Sequence, residues 1–243
     1  MKKLLLATVA FVALGATVPA LAADLGARAP YTKAPVYAAP LYNWTGFYFG
    51  GHLGGAFSGD NNIGGLATGN NGNARFLGGL QAGADYQFNP NWVIGAEVQY
   101  SWLANNNGSI IFPNGSAFTN NQRGLGSVTG RIGYTWGPAL LYVKGGYAFS
   151  DNNNSLVNAA GTPLAFGLTG NQSNGYTVGA GLEYMFTQNW SAKLEYQYYN
   201  FGNSSFTTPA ALVPFGSFRT DDHVVRAGLN YRFNWGGPVV AKY

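Results

Sequence analysis

The residues from Asn189 to Tyr199, NWSAKLEYQYY, alternate between apolar and polar side chains at successive positions. A period of two is that of a β-strand with one apolar face and one polar face. The same alternation recurs along the chain from residue 45 onwards. It predicts eight strands, at about 45–57, 74–88, 92–102, 122–136, 140–150, 174–186, 190–199 and 222–233.

The connections between these strands are alternately short and long. The segments NPN at 89–91, GPA at 137–139 and TQN at 187–189 predict tight turns, whereas the other connections are long and rich in Asn, Gly and Ser. Short turns at one end and long loops at the other are typical of outer-membrane barrels. We therefore predict an all-β fold: an eight-stranded antiparallel up-and-down transmembrane β-barrel with short periplasmic turns and long extracellular loops.

The N-terminal segment has the pattern of an export signal. Two lysines, an apolar run and the small-residue end Ala20-Leu21-Ala22 predict a secretory signal peptide over residues 1–22; the alternative is an uncleaved membrane anchor. Residues 23–43 contain three prolines without periodicity, which predicts a Pro-rich periplasmic linker. The barrel is then expected over residues 44–243.

Composition narrows the class of protein. Charged residues make up 9% of the chain, against about 25% in soluble domains, while aromatic residues reach 16%. No apolar run after the signal is long enough for a membrane-spanning helix, so an exported chain of this kind favours a membrane β-barrel. Without the two signal lysines, 11 of the 13 basic residues remain against 9 acidic ones, which does not support nucleic-acid binding. Cysteine is absent, which excludes disulfides and thiol catalysis.

The direction of the two faces distinguishes a membrane barrel from a soluble one. A soluble barrel keeps its apolar face inside, and a membrane barrel inverts this arrangement. Here the polar face is rich in glycine, which suits a crowded interior, and the apolar face continues around all eight strands and would aggregate in water. Tryptophans at strand ends predict an aromatic girdle, with Trp44, Trp92, Trp136, Trp190 and Trp235 at the short-turn end and Trp102 at the long-loop end.

The polar face is therefore expected to line the lumen, together with most of the strand charges. Turning one strand cation to lipid would cost roughly 2–4 kcal/mol at the membrane midplane, and charges buried in a lumen must be paired. Counting about the turn at 187–189 places Glu183 opposite Lys193. The predicted lumen network consists of Arg75, Asp85, Glu97, Arg123, Arg131, Lys144, Glu183, Lys193, Glu195, Arg226 and Arg232. Two hypotheses remain: the network only plugs and rigidifies the barrel, or partner exchange within it opens a narrow water path.

An internal repeat supports this placement. The segment Gly83–Tyr100 matches Gly181–Tyr198 as G-x-[DE]-Y-x-F-x-x-N-W-x4-E-x-Q-Y. The match predicts a four-strand unit used twice, either through duplication or through equivalent surroundings. It places Glu97 and Glu195 at equivalent inward positions, each near an arginine of the following strand.

Other candidate chemistry is sparse. Asp221, Asp222 and His223 resemble the acid–histidine sets of outer-membrane hydrolases, but no serine partner is evident. We therefore expect no enzyme activity, no catalytic residue, no cofactor and no metal ligand. His52 is expected to be a hydrogen-bonded lumen residue.

Three of the long loops contain apolar groups. The segments Ile110–Phe112, Leu164–Leu168 and Pro209–Phe218 lie on the expected extracellular side. They either pack on one another over the barrel mouth or form a surface for host ligands, for a hydrophobic small molecule such as haem, or for neighbouring barrels.

Several segments resemble a known family. The start APVYAAPLYNWTGFYFGG (Ala34–Gly51), the two NW…E-x-Q-Y strands and the end NYRFNWGGPVVAKY are similar to those of the alphaproteobacterial outer-membrane immunogenic proteins, small porin-like barrels related to opacity-type adhesins. The resemblance implies a surface-exposed, antigenic barrel in the bacterial outer membrane, in contact with lipid, lipopolysaccharide and the barrel assembly machinery. It also implies roles in envelope integrity and, in some members, haem binding, although no ligand motif here matches.

The C-terminus departs from the usual barrel rule. Outer-membrane chains usually finish on the aromatic residue of the last strand, but here ten residues follow Phe233. We expect Phe233, rather than Tyr243, to serve as the assembly signal because the strand alternation leads up to it. The expected function is structural and surface-interacting, antigen-like or adhesin-like; the alternatives are a small diffusion porin gated by the lumen network and a ligand-binding surface protein. The oligomeric state is left open.

Overall fold

A computed structural model describes residues 42–58, 62–63, 66–67, 74–104, 108–170, 173–210, 212 and 217–235. The predicted signal peptide, the linker up to residue 41 and Tyr243 lie outside these described residues. Within them, no helix is long and apolar enough to cross a membrane.

Eight long strands and four short ones make up the described part of the chain. The long strands are β1 (Gly46–Ser58), β4 (Ala74–Asn89), β5 (Trp92–Leu103), β7 (Ala117–Trp136), β8 (Ala139–Val157), β10 (Asn174–Met185), β11 (Trp190–Thr208) and β12 (Ser217–Asn234). The short strands are β2 (Asn62–Ile63), β3 (Leu66–Ala67), β6 (Gly108–Ile111) and β9 (Gly167–Gly170).

The eight long strands form a closed antiparallel ring in the order β1-β4-β5-β7-β8-β10-β11-β12. The ring closes because β12 pairs with β1, with Phe47 opposite Phe233 and Leu53 opposite Ala227. Closure leaves no unpaired sheet edge within the barrel wall, which a membrane-spanning sheet requires. The predicted fold is confirmed.

The apolar faces of the strands point outward and the polar faces point into the lumen, as predicted for a membrane barrel. On β11, Leu194 is 59% exposed on the outer surface, whereas its neighbour Lys193 is only 3% exposed and points into the lumen. The same alternation holds on β5, where Val98 is exposed and Glu97 is buried. An apolar exterior around a polar interior is the arrangement that lipid selects and water does not.

Four strands are longer than the alternation predicts. β7 begins at Ala117 and β8 continues to Val157, so their ladder extends well beyond residues 122 and 150. β11 and β12 likewise continue to Thr208 and from Ser217. The sequence underestimates these strands because above the membrane neither face meets lipid, so the apolar alternation stops while the backbone ladder continues.

Two apolar layers occupy the ends of the lumen. The lower plug, at the short-turn end, consists of Trp44, Val93, Leu140, Tyr142 and Met185. The upper plug, towards the long loops, consists of Ala56, Leu77, Leu103, Leu125, Ala148, Tyr199, Phe201 and Val224. Most of the buried charged side chains lie between these layers, whereas Asp222 lies beyond the upper plug.

Above the barrel, the strand extensions hold a third apolar group, the outer cluster. There β6 pairs with β7 and β9 pairs with β11. The outer cluster consists of Ile110, Phe112, Phe118, Leu156, Phe206 and Leu212, with Leu164, Phe166 and Leu168 packed against it. The loop segments 110–112 and 164–168 thus pack on one another, while Ile111 remains exposed. Half of the segment 209–218, residue 211 and residues 213–216, lies outside the described residues.

The prediction that Trp44 belongs to the aromatic girdle is wrong. Trp44 is 0% exposed and lies in the lower plug, with its ring 4.8 Å from the Arg232 guanidinium. The alternation of β1 explains this position: Phe47 and Phe49 point outward, so even-numbered residues, including Trp44 and Tyr48, point inward. The other predicted girdle residues are exposed on the outer surface at strand ends: Trp92, Trp102, Trp136, Trp190 and Trp235.

The prediction that Arg123 faces the lumen is also wrong. A register shift between Gln122 and Gly124 marks a β-bulge in β7, and Arg123 is exposed while both of its neighbours are buried. A bulge inserts one extra residue and so reverses the alternation on one side of it. Counting inward positions from Arg131 therefore fails at the bulge.

Candidate functional site

The internal repeat supplies the glycine and the glutamate of two equivalent groups in the lumen, and a tyrosine of the preceding strand completes each group. Glu97 lies opposite Gly83 across the β4–β5 pair, and the Tyr48 hydroxyl donates to its carboxylate at 2.8 Å. Four strands later, Glu195 lies opposite Gly181 across the β10–β11 pair and accepts from the Tyr142 hydroxyl, also at 2.8 Å.

Glycine is required at both places because the tyrosines pass directly over the backbone. A Cβ atom at Gly83 would lie 2.4 Å from the Tyr48 hydroxyl, and one at Gly181 would lie 2.5 Å from that of Tyr142. Both distances are far below van der Waals contact. The repeated glycines therefore let each tyrosine reach its glutamate, and we call each such tyrosine–glycine–glutamate group a clamp.

Two lysines join the repeated glutamates into a central cluster. The Lys144 ammonium donates to Glu97 Oε1 at 2.7 Å, to Gln99 Oε1 at 2.7 Å and to a Glu195 carboxylate oxygen at 3.0 Å. Lys193 donates to Glu97 Oε2 at 2.8 Å and lies 3.5 Å from Glu195. Each carboxylate thus contacts both lysines.

A second group, the lower cluster, lies nearer the short turns. Arg131 donates to both oxygens of Asp85, through Nε at 2.8 Å and through Nη2, and to Glu183 Oε2 at 3.1 Å. Arg232 spans the same two acids, at 2.5 Å from Asp85 and 3.1 Å from Glu183. The Tyr48 ring lies 4.7 Å from the Arg131 guanidinium and 5.1 Å from that of Arg232, within cation–π range.

A chain of neutral groups extends from His52 to the lower cluster. The Ser101 hydroxyl lies 2.8 Å from His52 Nε2, and His52 Nδ1 lies 2.9 Å from Gln81 Oε1. Because Gln81 Oε1 only accepts, Nδ1 carries the proton and Nε2 accepts from Ser101. Gln81 donates on to Asn230 at 2.6 Å, which donates to Glu183 at 3.0 Å. Both ring nitrogens of His52 are therefore hydrogen-bonded.

Arg75 is held at the outer end of the lumen, away from the two clusters. It donates to Asp222 Oδ1 at 2.6 Å and to Gln122 Oε1 at 2.7 Å, and Gln122 donates to the other Asp222 oxygen at 2.9 Å. This pair lies one inward position beyond the upper plug residues Leu77 and Val224 on β4 and β12.

The acid–histidine set does not form a catalytic group. Asp222 points into the lumen, whereas Asp221 and His223 belong to the outward face of the same strand. His223 Nδ1 lies 2.7 Å from the Tyr196 hydroxyl, and Asp221 accepts from the Tyr198 hydroxyl at 3.1 Å. Opposite faces of one strand cannot present Asp222 and His223 to a common substrate.

The structure brings most of the predicted lumen residues together. Nine of them lie between the two plugs, each at most 5% exposed: Asp85, Glu97, Arg131, Lys144, Glu183, Lys193, Glu195, Arg226 and Arg232. Glu183 does lie opposite Lys193 in the ladder, but their side chains take different partners, since Glu183 accepts from Arg131 and Lys193 donates to Glu97.

Sequence reasoning missed the two tyrosines of the clamps as parts of this network. The signal for Tyr48 was its inward position in the alternation of β1, and for Tyr142 its inward position beside Lys144. Both belong to the site through their bonds to Glu97 and Glu195.

The paired state of these groups decides what the lumen can do chemically. The buried carboxylates already accept from cations and hydroxyls, so they are not free to act as general bases. Removing one partner from such a pair typically costs 3–5 kcal/mol, because a charge is then left buried without compensation. Among the described side chains, no group of three His, Cys, Asp or Glu residues could hold a metal ion.

The chain is similar to known outer-membrane proteins. Residues 8–233 match the family profile described as the outer membrane protein β-barrel domain. The 31 kDa outer-membrane immunogenic protein of Brucella melitensis is 31% identical, over 96% of this chain and 100% of its own length. The 25 kDa outer-membrane immunogenic protein of Brucella abortus is 29% identical, over 96% and 99%. Among solved structures, OprG from Pseudomonas aeruginosa has a TM-score of 0.46 at 14% identity, with 79% of this chain and 98% of that chain covered.

Proposed function

Because the chain belongs to the outer membrane β-barrel protein family and lies in the bacterial outer membrane, we propose that it is a closed, non-conducting barrel. In this proposal the barrel anchors and displays the outer cluster and the strand extensions around it at the cell surface. The role is structural and surface-interacting, as an antigen or adhesin-like protein, and does not involve catalysis.

The observation that carries this proposal is the filling of the lumen. Nine buried charged side chains occupy the space between two apolar layers, and a hydrated ion would have to displace both layers and the network. An eight-stranded barrel has an interior that side chains just fill. Conduction through this interior would therefore need a large rearrangement.

The outer cluster supports the surface role. It gives the strand extensions a small apolar core of their own, Ile110, Phe112, Phe118, Leu156, Phe206 and Leu212, above the membrane. A packed core makes this region a defined shape that a host protein, a small molecule or an antibody can recognise. The immunogenic names of the two Brucella relatives agree with exposure of this kind.

Planar-bilayer conductance of the refolded mature protein tests the closed lumen. We expect no discrete current steps from the wild type, with the folded barrel verified by heat-dependent mobility on gels. The Arg219→Gln variant, which removes an exposed charge outside the lumen, is the matched control and is also expected to be silent. Regular steps from both proteins would contradict the closed-barrel proposal.

A gated porin is the second candidate, and one observation favours it. Glu97 and Glu195 each contact both Lys144 and Lys193, so a shift of partners can occur within the central cluster without leaving any charge unpaired. The Glu97→Ala/Glu195→Ala double variant is the test. Steps that appear only in this variant would show that the central cluster closes a water path.

We further propose that the barrel exterior contacts membrane lipid and lipopolysaccharide, and that Phe233 is read by the assembly machinery. Phe233 is exposed on the outer surface at the end of β12, one residue before the strand ends. Truncation after Phe233 should preserve outer-membrane assembly, whereas Phe233→Ala in the full chain should reduce it. Loss of assembly on truncation alone would favour Tyr243.

A further inference from the structure

One cation in the lumen has far fewer partners than the others. Arg226 is 1% exposed, and its nearest carboxylate oxygen, on Glu195, lies 3.8 Å from Nε, beyond hydrogen-bond distance. Its hydrogen bond to a described residue runs from Nη2 to the Tyr199 hydroxyl at 2.9 Å. Nε and Nη1 have no hydrogen-bond partner within the described part of the chain. A buried guanidinium in this condition needs a further acceptor.

The charge balance between the plugs also indicates that an anionic partner is missing. Five cations, Arg131, Lys144, Lys193, Arg226 and Arg232, face four carboxylates, Asp85, Glu97, Glu183 and Glu195. One positive charge is therefore in excess, among the described residues, in a region that both plugs separate from water.

The lysines of the central cluster are better compensated than Arg226. Lys144 has three acceptors around its nitrogen, on Glu97, Gln99 and Glu195, which matches the three donors of an ammonium group. An arginine keeps its charge in proteins. Arg226, whose nearest carboxylate oxygen is 3.8 Å away and not hydrogen-bonded to it, is thus the place where the charge is least compensated.

We propose that the lumen holds a small monovalent inorganic anion of chloride size against Nη1 of Arg226, directly beneath the upper plug, while Nε faces Glu195. The site lies where Arg226 projects between Gly54 of β1 and Glu195 of β11 in the ladder. Gly54 has no side chain, which lets Cα and Cβ of Arg226 lie directly against it. The Tyr199 hydroxyl, which accepts from Arg226, keeps its own proton available to donate to the anion. The anion is a structural counterion, trapped when the barrel closes.

The test is the chloride dependence of folding. The protein is unfolded in urea and refolded into detergent micelles in sodium chloride or sodium gluconate at equal ionic strength. A single site that exists only in the folded state predicts that, above its dissociation constant, each tenfold rise in chloride lowers the unfolding equilibrium constant about tenfold. The Arg226→Gln variant should lose this dependence, while the matched control Arg219→Gln, an exposed cation, should keep it.

A second variant keeps the test decisive if Arg226→Gln does not fold. Gln197 is buried on β11, one inward position above Glu195, and its Oε1 has no hydrogen-bond partner among the described residues. The Gln197→Glu variant supplies a carboxylate within the lumen and should fold without chloride dependence. Crystals grown from protein refolded in bromide should show an anomalous peak at Arg226. A wild type that folds equally well in gluconate, or crystals with only water at Arg226, would overturn the proposal.

Discussion

Glu183 is the acid on which the lower cluster depends most. It accepts from Arg131 at 3.1 Å, from Arg232 at 3.1 Å, from Ser191 at 2.6 Å and from Asn230 at 3.0 Å, and it is fully buried. The Glu183→Gln variant keeps the shape of the side chain but removes its charge. It also places an amide group, which donates, among four groups that donate. Both guanidinium groups then share Asp85 as their remaining acid in the lower cluster.

The expected loss of stability follows from the two buried arginines that lose Glu183 as a partner. Removing one partner of a buried ion pair costs about 3–5 kcal/mol, because the remaining charge stays buried. We expect Glu183→Gln to lower the free energy of unfolding by that amount, which corresponds to a factor of about 10² to 10⁴ in the unfolding equilibrium constant. Most of this loss is the cost of stranding two arginines, so the double variant Glu183→Gln/Arg232→Met should recover part of it.

Urea unfolding in micelles, followed by tryptophan fluorescence and by gel mobility, measures the effect. The matched control is Asp221→Asn, an acid on the outer surface whose partner Arg219 is 4.0 Å away and half exposed; it should change stability by less than about 1 kcal/mol. A Glu183→Gln variant that unfolds within about 1 kcal/mol of the wild type, or a double variant less stable than the single one, would show that the lower cluster does not depend on Glu183 in this way.

Three further predictions use the same unfolding assay. Gly181→Ala should cost about 1–3 kcal/mol by displacing the Tyr142 hydroxyl from Glu195, and Tyr142→Phe in the same background should add little, since the bond is already lost. Leu194→Arg, on the lipid face, should cost about 2–4 kcal/mol, whereas Arg123→Leu at the exposed bulge should be nearly neutral or stabilising. Trp44→Ala should cost about 3–5 kcal/mol as a lost plug side chain; a cost under 1 kcal/mol would instead agree with the girdle position that the sequence predicts.

Much of the barrel could be predicted from the chain because lipid imposes a simple rule on every strand. One face must be apolar over the membrane thickness, so the alternation on β11 between Leu194 and Lys193 already indicates which side is outside. The repeat likewise predicts that Glu97 and Glu195 occupy equivalent inward positions. These conclusions depend on the period of a strand and on the cost of placing a charge in lipid, both of which are local.

The tertiary structure decided which inward residues meet. Lys144 of β8 bonds to Glu97 of β5, and Lys193 of β11 bonds to the same carboxylate across the lumen, contacts that depend on the tilt and stagger of strands that are not neighbours. The bulge that turns Arg123 outward could not be predicted from the sequence either, because a bulge shifts the alternation without a marker in the sequence. The alternation along the strands is thus enough to predict a barrel with most of its charges inside. Only the closed ring decided the pairing, because partners across a lumen are set by three-dimensional distance and leave no spacing in the chain.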